Sequence, residues 1–450
     1  MLGPDKIEEL LKPYLQSTDA DEKEVVLWGT STGLTRYAQT VTHQNVKENN
    51  YSATFRVILG GRIGITSTND MSRDSLDNTF KTAIEIAKQK KPTKDFPGLP
   101  GPQQYTKIET WVDSTSKAGQ AERVKGVKKV FDLAKKHKLE VAGSFSSGAS
   151  EIMVLNSKGI RAYQPFTFAN MANIVMHPTF SAYSSMTTRN INAINSAQLA
   201  EIAVNKVLNG INPKDIEPGK YDVILEPAAL AELIEWLGYI GLNSRCMEEG
   251  TGFMYGHIGE KILGDNISIY DDAYDPDGIS SPFDLEGVAK QKVNFIESGI
   301  AKGVVYDTYS GAKAGKQSTG HSMGAHGMAY GSMPTNVFLK PGDKSLDEMI
   351  KSMERGVLVT RFHYVNGYLH TPTARMTGMT RDGAFWVENG EIKHGIKNMR
   401  FTDSMVRILN NVKMISKETA TLPAWWGEAG AFVLPAIYVK DFEFTGKSDH

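Results

Sequence analysis

The sequence predicts an α+β protein. It has an N-terminal α+β region with an antiparallel sheet and covering helices, followed by a large, mostly β C-terminal domain. Three observations predict it. Near the N-terminus, runs that alternate like strands lead into one amphipathic helical stripe rather than into repeating βαβ units. A proline-rich stretch, KQKKPTKDFPGLPGPQQ (88–104), then breaks the chain. Beyond an apolar helix at 227–242 the sequence turns Gly-rich and strand-like almost to its end. At about 150 residues per domain, 450 residues set a prior of two to three domains. The boundaries read as 1–104, 105–215 and 216–450.

The elements follow in order. IEELLKPYL (7–15) spaces its apolar residues like a helix. EVVLWGTSTGLTRYAQTVTHQNV (24–46) and YSATFRVILGGRIGITST (51–68) alternate, and Gly60-Gly61 marks a hairpin turn. Ser72 caps a helix over about 73–91 with Leu76, Phe80, Ala83 and Ala87 on one stripe. A second helix spans about 118–138. Alternating runs follow, with a hairpin turn at Asn156-Ser157-Lys158-Gly159. Ser196 starts a helix that turns Leu199, Ala203 and Val207 inward and stops at Gly210. YDVILE reads as a strand, and Pro227 opens the apolar helix PAALAELIEWLGYIGL. Further on, the turn signals are Asp277-Gly278, Pro341-Gly342 and Asn389-Gly390, with short helices at 346–353 and 402–413.

Composition narrows the function. Fifty basic and 51 acidic residues leave a net charge of −1, which gives no basic footprint for nucleic acid. The single cysteine, Cys246, excludes an internal disulfide and any multi-cysteine zinc site. The N-terminus has no signal-peptide pattern, and apolar runs such as FVLPAIYV (432–439) fall far short of the ~20 residues a membrane helix needs. A soluble, cytoplasmic protein is expected.

Chemistry is harder to find. There is no H-E-x-x-H run, no phosphate-loop glycine spacing and no G-x-S-x-G elbow. His321 and His326 lie in the Gly-rich STGHSMGAHGMAYG, and His363 and His370 in RFHYVNGYLHTP; neither spacing suits a regular ligand pair. Asp271-Asp272, Asp284 and Glu286 read as turn caps or as the wall of a polar site. Trp425-Trp426 reads as core or as an aromatic platform. Lys88, Lys90, Lys91 and Lys94 read as solvated surface.

The order of motifs is more informative. GTGFMYGHIGEKILGDNISIYDD (250–272), SPFDLEG (281–287), IESGIAKGVVYDTYSGAKAGKQSTGHS (296–322) and PTNVFLKPGDKS (334–345) stand in one sequence. GVLVTRF (356–362), TGMTRDGAFWVENGEI (377–392) and LPAIYVKDFEFTG (434–446) follow. Together with RVILGGRIGITST (56–68), this series resembles the TldD/PmbA family, also called modulator of DNA gyrase or peptidase U62, over essentially the whole chain. In the TldD branch of that family a helix carries an H-E-x-x-x-H zinc motif, with a cysteine ligand near the C-terminus. The corresponding stretch here is about Glu235-Trp236-Leu237-Gly238-Tyr239-Ile240, and Trp426 stands at the cysteine. The chain therefore resembles the PmbA or TldE branch.

The resemblance implies a TldE-like subunit of a metallopeptidase complex that degrades unfolded peptides. It implies no cofactor in this chain and zinc in a TldD-like partner. That partner chain, or a second copy in a homodimer, and a peptide are the expected partners, without nucleic acid or membrane. Whether the chain is itself an enzyme stays open, and no catalytic or metal residue carries over. Two alternatives stand beside this reading: an active peptidase with a metal relocated to His321, His326, His363 and His370, and a regulatory protein that binds DNA gyrase. The substrate-groove candidates are Asp284, Glu286, Thr319, His321, Asp382, Trp426 and Glu428.

Overall fold

The computed structural model describes residues 1–279, 281–327, 331–424 and 427–448, side chains excepted at 326–327 and 427–429. Its N-terminal part is a six-stranded antiparallel sheet. The strands are β1 (Glu22–Ala38), β2 (Val41–Leu59), β3 (Arg62–Thr68), β4 (Glu140–Asn156), β5 (Arg161–His177) and β6 (Phe180–Thr188), in the order β3-β2-β1-β4-β5-β6. Helices α1 (Pro4–Gln16) and α2 (Arg73–Gln89) belong to the β1–β3 half. After the short α3 (Asp113–Ser116), α4 (Gln120–Lys136) and α5 (Ser196–Gly210) belong to the β4–β6 half. Each half thus runs helix, three strands, helix, and the halves meet at the β1–β4 pair.

Local chemistry explains these elements. Ser72 Oγ accepts the Ser75 amide at 3.4 Å and starts α2, whose Leu76, Phe80, Ala83 and Ala87 are buried as the stripe required. Gly60 and Gly61 turn β2 into β3 at φ 57° and 73°. The run 24–46, read as one alternating segment, in fact contains a hairpin. It turns at Gln39 and Thr40, both at positive φ, a conformation their side chains do not announce. Asn156 Oδ1 accepts the amides of Lys158 and Ile160, each at 2.9 Å, and closes the β4–β5 turn. Asn195, rather than Ser196, caps α5.

The alternation gives the sheet two different faces. Val25, Leu27, Val57 and Leu155 pack under α1 and α2. Tyr37, Phe145, Met171 and Val175 pack under α4 and α5. On the opposite face Ile152, Val154, Ala162 and Phe166 receive Phe283 and Leu285 from the C-terminal part.

That part holds an eleven-stranded sheet. Its strands are β7 (Gly219–Leu225), β8 (Ile269–Asp271), β9 (Val293–Glu297), β10 (Ile300–Ala301), β11 (Asn336–Leu339) and β12 (Arg355–His370). They continue as β13 (Arg375–Glu388), β14 (Glu391–Gly395), β15 (Met399–Ser404), β16 (Val412–Ala424) and β17 (Gly427–Lys447). The path β17-β15-β13-β12-β7 closes on itself, because β7 also pairs with β17. Helix α6 (Pro227–Ile240) packs its leucines and isoleucines into this core. The shorter α7 (Ser244–Glu249) and α8 (Thr308–Lys313) lie toward the N-terminal sheet, where both contribute to a shared cavity. Among the described residues no helix is long and apolar enough to cross a membrane.

Strand β3 meets α2 backbone to backbone at Gly64. A Cβ there would stand 1.8 Å from the Ala83 carbonyl oxygen. We expect Gly64→Ala to lower unfolding stability by about 1–3 kcal/mol through overpacking. Urea unfolding checks it; an unchanged midpoint would show that α2 is not seated as described.

Candidate functional site

The site starts from a turn that Asp284 builds. Its Oδ1 accepts the amides of Glu286 and Val288, each at 2.9 Å, and its Oδ2 accepts the Ser322 amide at 2.8 Å. Gly287 sits at φ 74°, and a Cβ there would meet Ile160 on the N-terminal sheet at 2.5 Å. The turn is thereby pressed against that sheet, and it aims Glu286 at Arg56.

Arg56 and Glu24 are direct cross-strand partners on β2 and β1. Both point to the face away from the helices. Arg56 Nη2 donates to Glu24 Oε2 at 2.7 Å and Nη1 donates to Glu286 Oε1 at 2.9 Å. The second oxygen of Glu286 accepts the Thr308 amide at 3.1 Å, at the start of α8. The side chains of this Glu–Arg–Glu triad are 1–6 % exposed. Burial drives the Glu286 carboxyl toward protonation, but Arg56 and the Thr308 bonds outweigh it and hold its pKa below the ordinary value. For Glu24 burial wins over Arg56, and the pKa is raised. Burial, and after it the Glu286 charge, push Asp284 up to about 7 against its three amide bonds.

A second buried cluster adjoins the first. Thr319 Oγ1 accepts the Tyr306 amide at 2.9 Å and lies 3.0 Å from His321 Nδ1. His321 Nδ1 is also 2.9 Å from the Thr319 carbonyl oxygen, while Nε2 lies 3.1 Å from Asp271 Oδ1 without hydrogen-bond alignment. Asp271 Oδ2 accepts the amides of Thr335 and Asn336 at 2.7 and 2.8 Å, and Lys290 Nζ reaches Thr335 Oγ1. Burial lowers the pKa of both His321 and Lys290, with Asp271 pulling the other way.

Beside the triad lies a cavity of about 300 Å³ between the two parts of the molecule. Arg56, Ile63 and Phe96 line it from the N-terminal side. Arg245, Glu248, Asp307 and Tyr309 line it from α7 and the α8 region, and Glu286 and Ser322 from the turn.

The structure brings Asp284, Glu286, Thr319 and His321 together, but not Asp382. Asp382 stands on β13, where it accepts from Ser181 Oγ at 2.6 Å and Arg361 Nε at 2.9 Å, and so ties β6 to the barrel. Trp426 and the Glu428 side chain lie outside the described residues, as does the His326 side chain. His370 is exposed against Thr373, remote in environment from the fully enclosed His321. Among the described residues no group of three or more His, Cys, Asp or Glu is placed to hold a metal ion. Sequence reasoning missed Arg56, Glu24 and Lys290, and it read Asp271 as a turn cap or polar wall without its His321 neighbour. The available signal was Arg56, a charge inside the apolar run ATFRVIL.

Helix α6 carries the stretch that the resemblance sets against the zinc motif, with Glu235, Trp236 and Ile240 at its three defining positions. Ile240 is fully buried in the apolar core, and the Trp236 indole donates to the Val365 carbonyl at 2.9 Å. Neither side chain offers a ligand atom of the kind zinc takes.

Residues 218–446 match the family described as PmbA/TldA metallopeptidase C-terminal domain, and residues 30–87 match PmbA/TldA metallopeptidase domain 1. A Haemophilus influenzae protein named metalloprotease PmbA homolog is 25 % identical over 406 residues, 86 % of this chain and 85 % of that one. A Saccharolobus solfataricus protein named zinc metalloprotease TldD homolog is 30 % identical over 238 residues, 49 % of this chain and 48 % of that one. The crystal structure of TldE from Thermococcus kodakarensis shares the fold, with TM-score 0.86 and 22 % identity over 98 % of this chain and 100 % of that one.

Asp284 gives the site a pH signature. Its pKa is higher folded than unfolded, so its contribution to stability is complete below about pH 4 and is lost as pH rises toward 7. Asp284→Asn should remove that fall, so that the thermal stability of the parent relative to the variant drops as pH rises from 4.5 to 7.5. Parallel pH profiles of the two would contradict the assignment.

Proposed function

The chain belongs to the PmbA/TldD family, and from that premise we propose that it is the TldE-like subunit of a TldD/TldE-type metallopeptidase complex. The complex degrades unfolded peptides, and the zinc centre belongs to a TldD-like partner. The observation that carries this reading is the filling of α6: an enclosed Ile240 and a hydrogen-bonded Trp236 stand where the motif's second histidine and its glutamate would stand. A peptidase metal acts by polarising a carbonyl and by generating hydroxide from its bound water, and both need ligand atoms and an open position. A core isoleucine supplies neither.

In this reading the chain contributes shape. The interdomain cavity, walled by Arg245, Glu248 and Tyr309 and floored by Arg56 and Glu286, is a polar recess fit to hold part of an extended peptide. No step of hydrolysis is assigned to its residues. Relocation of a metal to the four histidines has less support, because His321 is fully enclosed among protein partners.

The test is purification of the chain with metal analysis and assay on an unfolded peptide, alone and mixed with the TldD-like chain of the same cell. We expect substoichiometric zinc and no hydrolysis alone, co-elution with the TldD-like chain, and hydrolysis by the mixture. Tight stoichiometric zinc with hydrolysis by the isolated chain would overturn the proposal.

A further inference from the structure

We propose that the N-terminal sheet carries a binding site for a small oxyanion, a phosphate or carboxylate group, in the cavity where Arg123 lies across the two central strands. This site is separate from the interdomain cavity and independent of the reading of α6.

The argument begins with a charge left over. The sheet buries two arginines, Arg56 and Arg123, each 3 % exposed. Arg56 is neutralised by two carboxylates. Among the described residues Arg123 has only hydroxyl partners: Nε donates to Thr35 Oγ1 at 3.2 Å and Nη1 to Ser147 Oγ at 3.1 Å. A guanidinium has five N–H groups, so three remain to be used. A buried cation without a counter-ion is costly, and proteins resolve that cost by pairing it. Burial does lower the pKa of Arg123, with Glu122 pulling the other way. The Glu122 carboxylate is engaged in capping α4, where it accepts the Gly119 amide at 2.9 Å.

Register explains why a cavity forms there. Gly33 on β1 pairs with Ser147 on β4 and with Lys47 on β2, so these three face the same side. Thr35 and Asn45 pair one step further along the same face. This is the helical face, beside the N-terminal end of α4. Gly33 leaves the guanidinium its place: a Cβ would stand 2.3–2.5 Å from Nη1, Nη2 and Cζ.

The cavity holds about 300 Å³. Its lining includes Arg123, Lys47, Lys117, Ser31 and Ser147 and no Asp or Glu. Lys117 is paired with Asp113 at 2.8 Å, whereas no ion pair to Lys47 occurs among the described residues. Asn45 Nδ2 is enclosed with no hydrogen-bond partner. Gly119 and Gln120 bring the positive end of the 17-residue α4 to the same place. Unused N–H donors, a free ammonium, hydroxyls and a helix N-terminus converge on one recess. That chemistry recognises an oxyanion.

The experiment uses the full chain, with calorimetric titration and thermal melts in inorganic phosphate and in acetate at matched ionic strength. We expect at least one of these anions to bind saturably and to raise the melting temperature. Binding of phosphate alone, acetate alone or both identifies the accepted group. Arg123→Met should abolish the binding and the rise, and should melt no lower than the parent in anion-free buffer, because it removes an uncompensated buried charge. Lys47→Gln, a change at an exposed strand position, should weaken binding several-fold with the fold intact. Saturable binding by neither anion, retained affinity in Arg123→Met, or parental affinity in Lys47→Gln would overturn the proposal.

Discussion

One guanidinium between two carboxylates joins the two parts of this molecule. Arg56 comes from β2, Glu24 from β1 and Glu286 from a turn 230 residues away from Arg56 in sequence. Buried ion pairs are weak grounds for net stability, since desolvation offsets most of the Coulomb gain. Their specificity is another matter. Removing one partner strands the others as unpaired buried charges, at a cost of about 3–5 kcal/mol. Any docking of the turn that missed Arg56 would carry that cost. The triad thus selects one seating of the C-terminal part on the sheet, and that seating sets the wall of the interdomain cavity.

Around it the polar groups form a hierarchy. Asp284 folds the turn through three amides, Glu286 reaches from the turn to Arg56 and to the start of α8, and His321 with Asp271 secures the next loop. These groups are enclosed, so their work is positional. The surfaces they position, along α7 and α8, line the interdomain cavity. Trp236 bonds to the backbone of β12, and Ile240 joins the core.

Much of this was legible in the sequence, for physical reasons. The stripe Leu76, Phe80, Ala83 and Ala87 is a local pattern, and a local pattern suffices to set a helix. Asn156 and Gly159 likewise carry their turn in their own chemistry. The hairpin at Gln39 and Thr40 was not legible, because neither residue type marks a positive φ. Asp284, Glu286, Thr319 and His321 were named as candidates and do lie together. Their motif order drew attention to them, yet their partners Glu24 and Arg56 come from remote strands. Only the register of β1 on β2 and the packing of the turn reveal that meeting. Asp382 shows the converse: it stands in a matching motif but serves the contact of β6 with the barrel. The Arg123 recess was invisible for the same reason, as its groups come from α4, β1, β2 and β4.

The seating claim is tested most directly by amide hydrogen exchange in Arg56→Met beside the parent chain. The account predicts that protection falls at Thr308, Glu286, Val288 and Ser322, the amides held by Glu286 and Asp284, while the paired amides of β4 and β5 keep theirs. Unchanged protection at those four amides would contradict it.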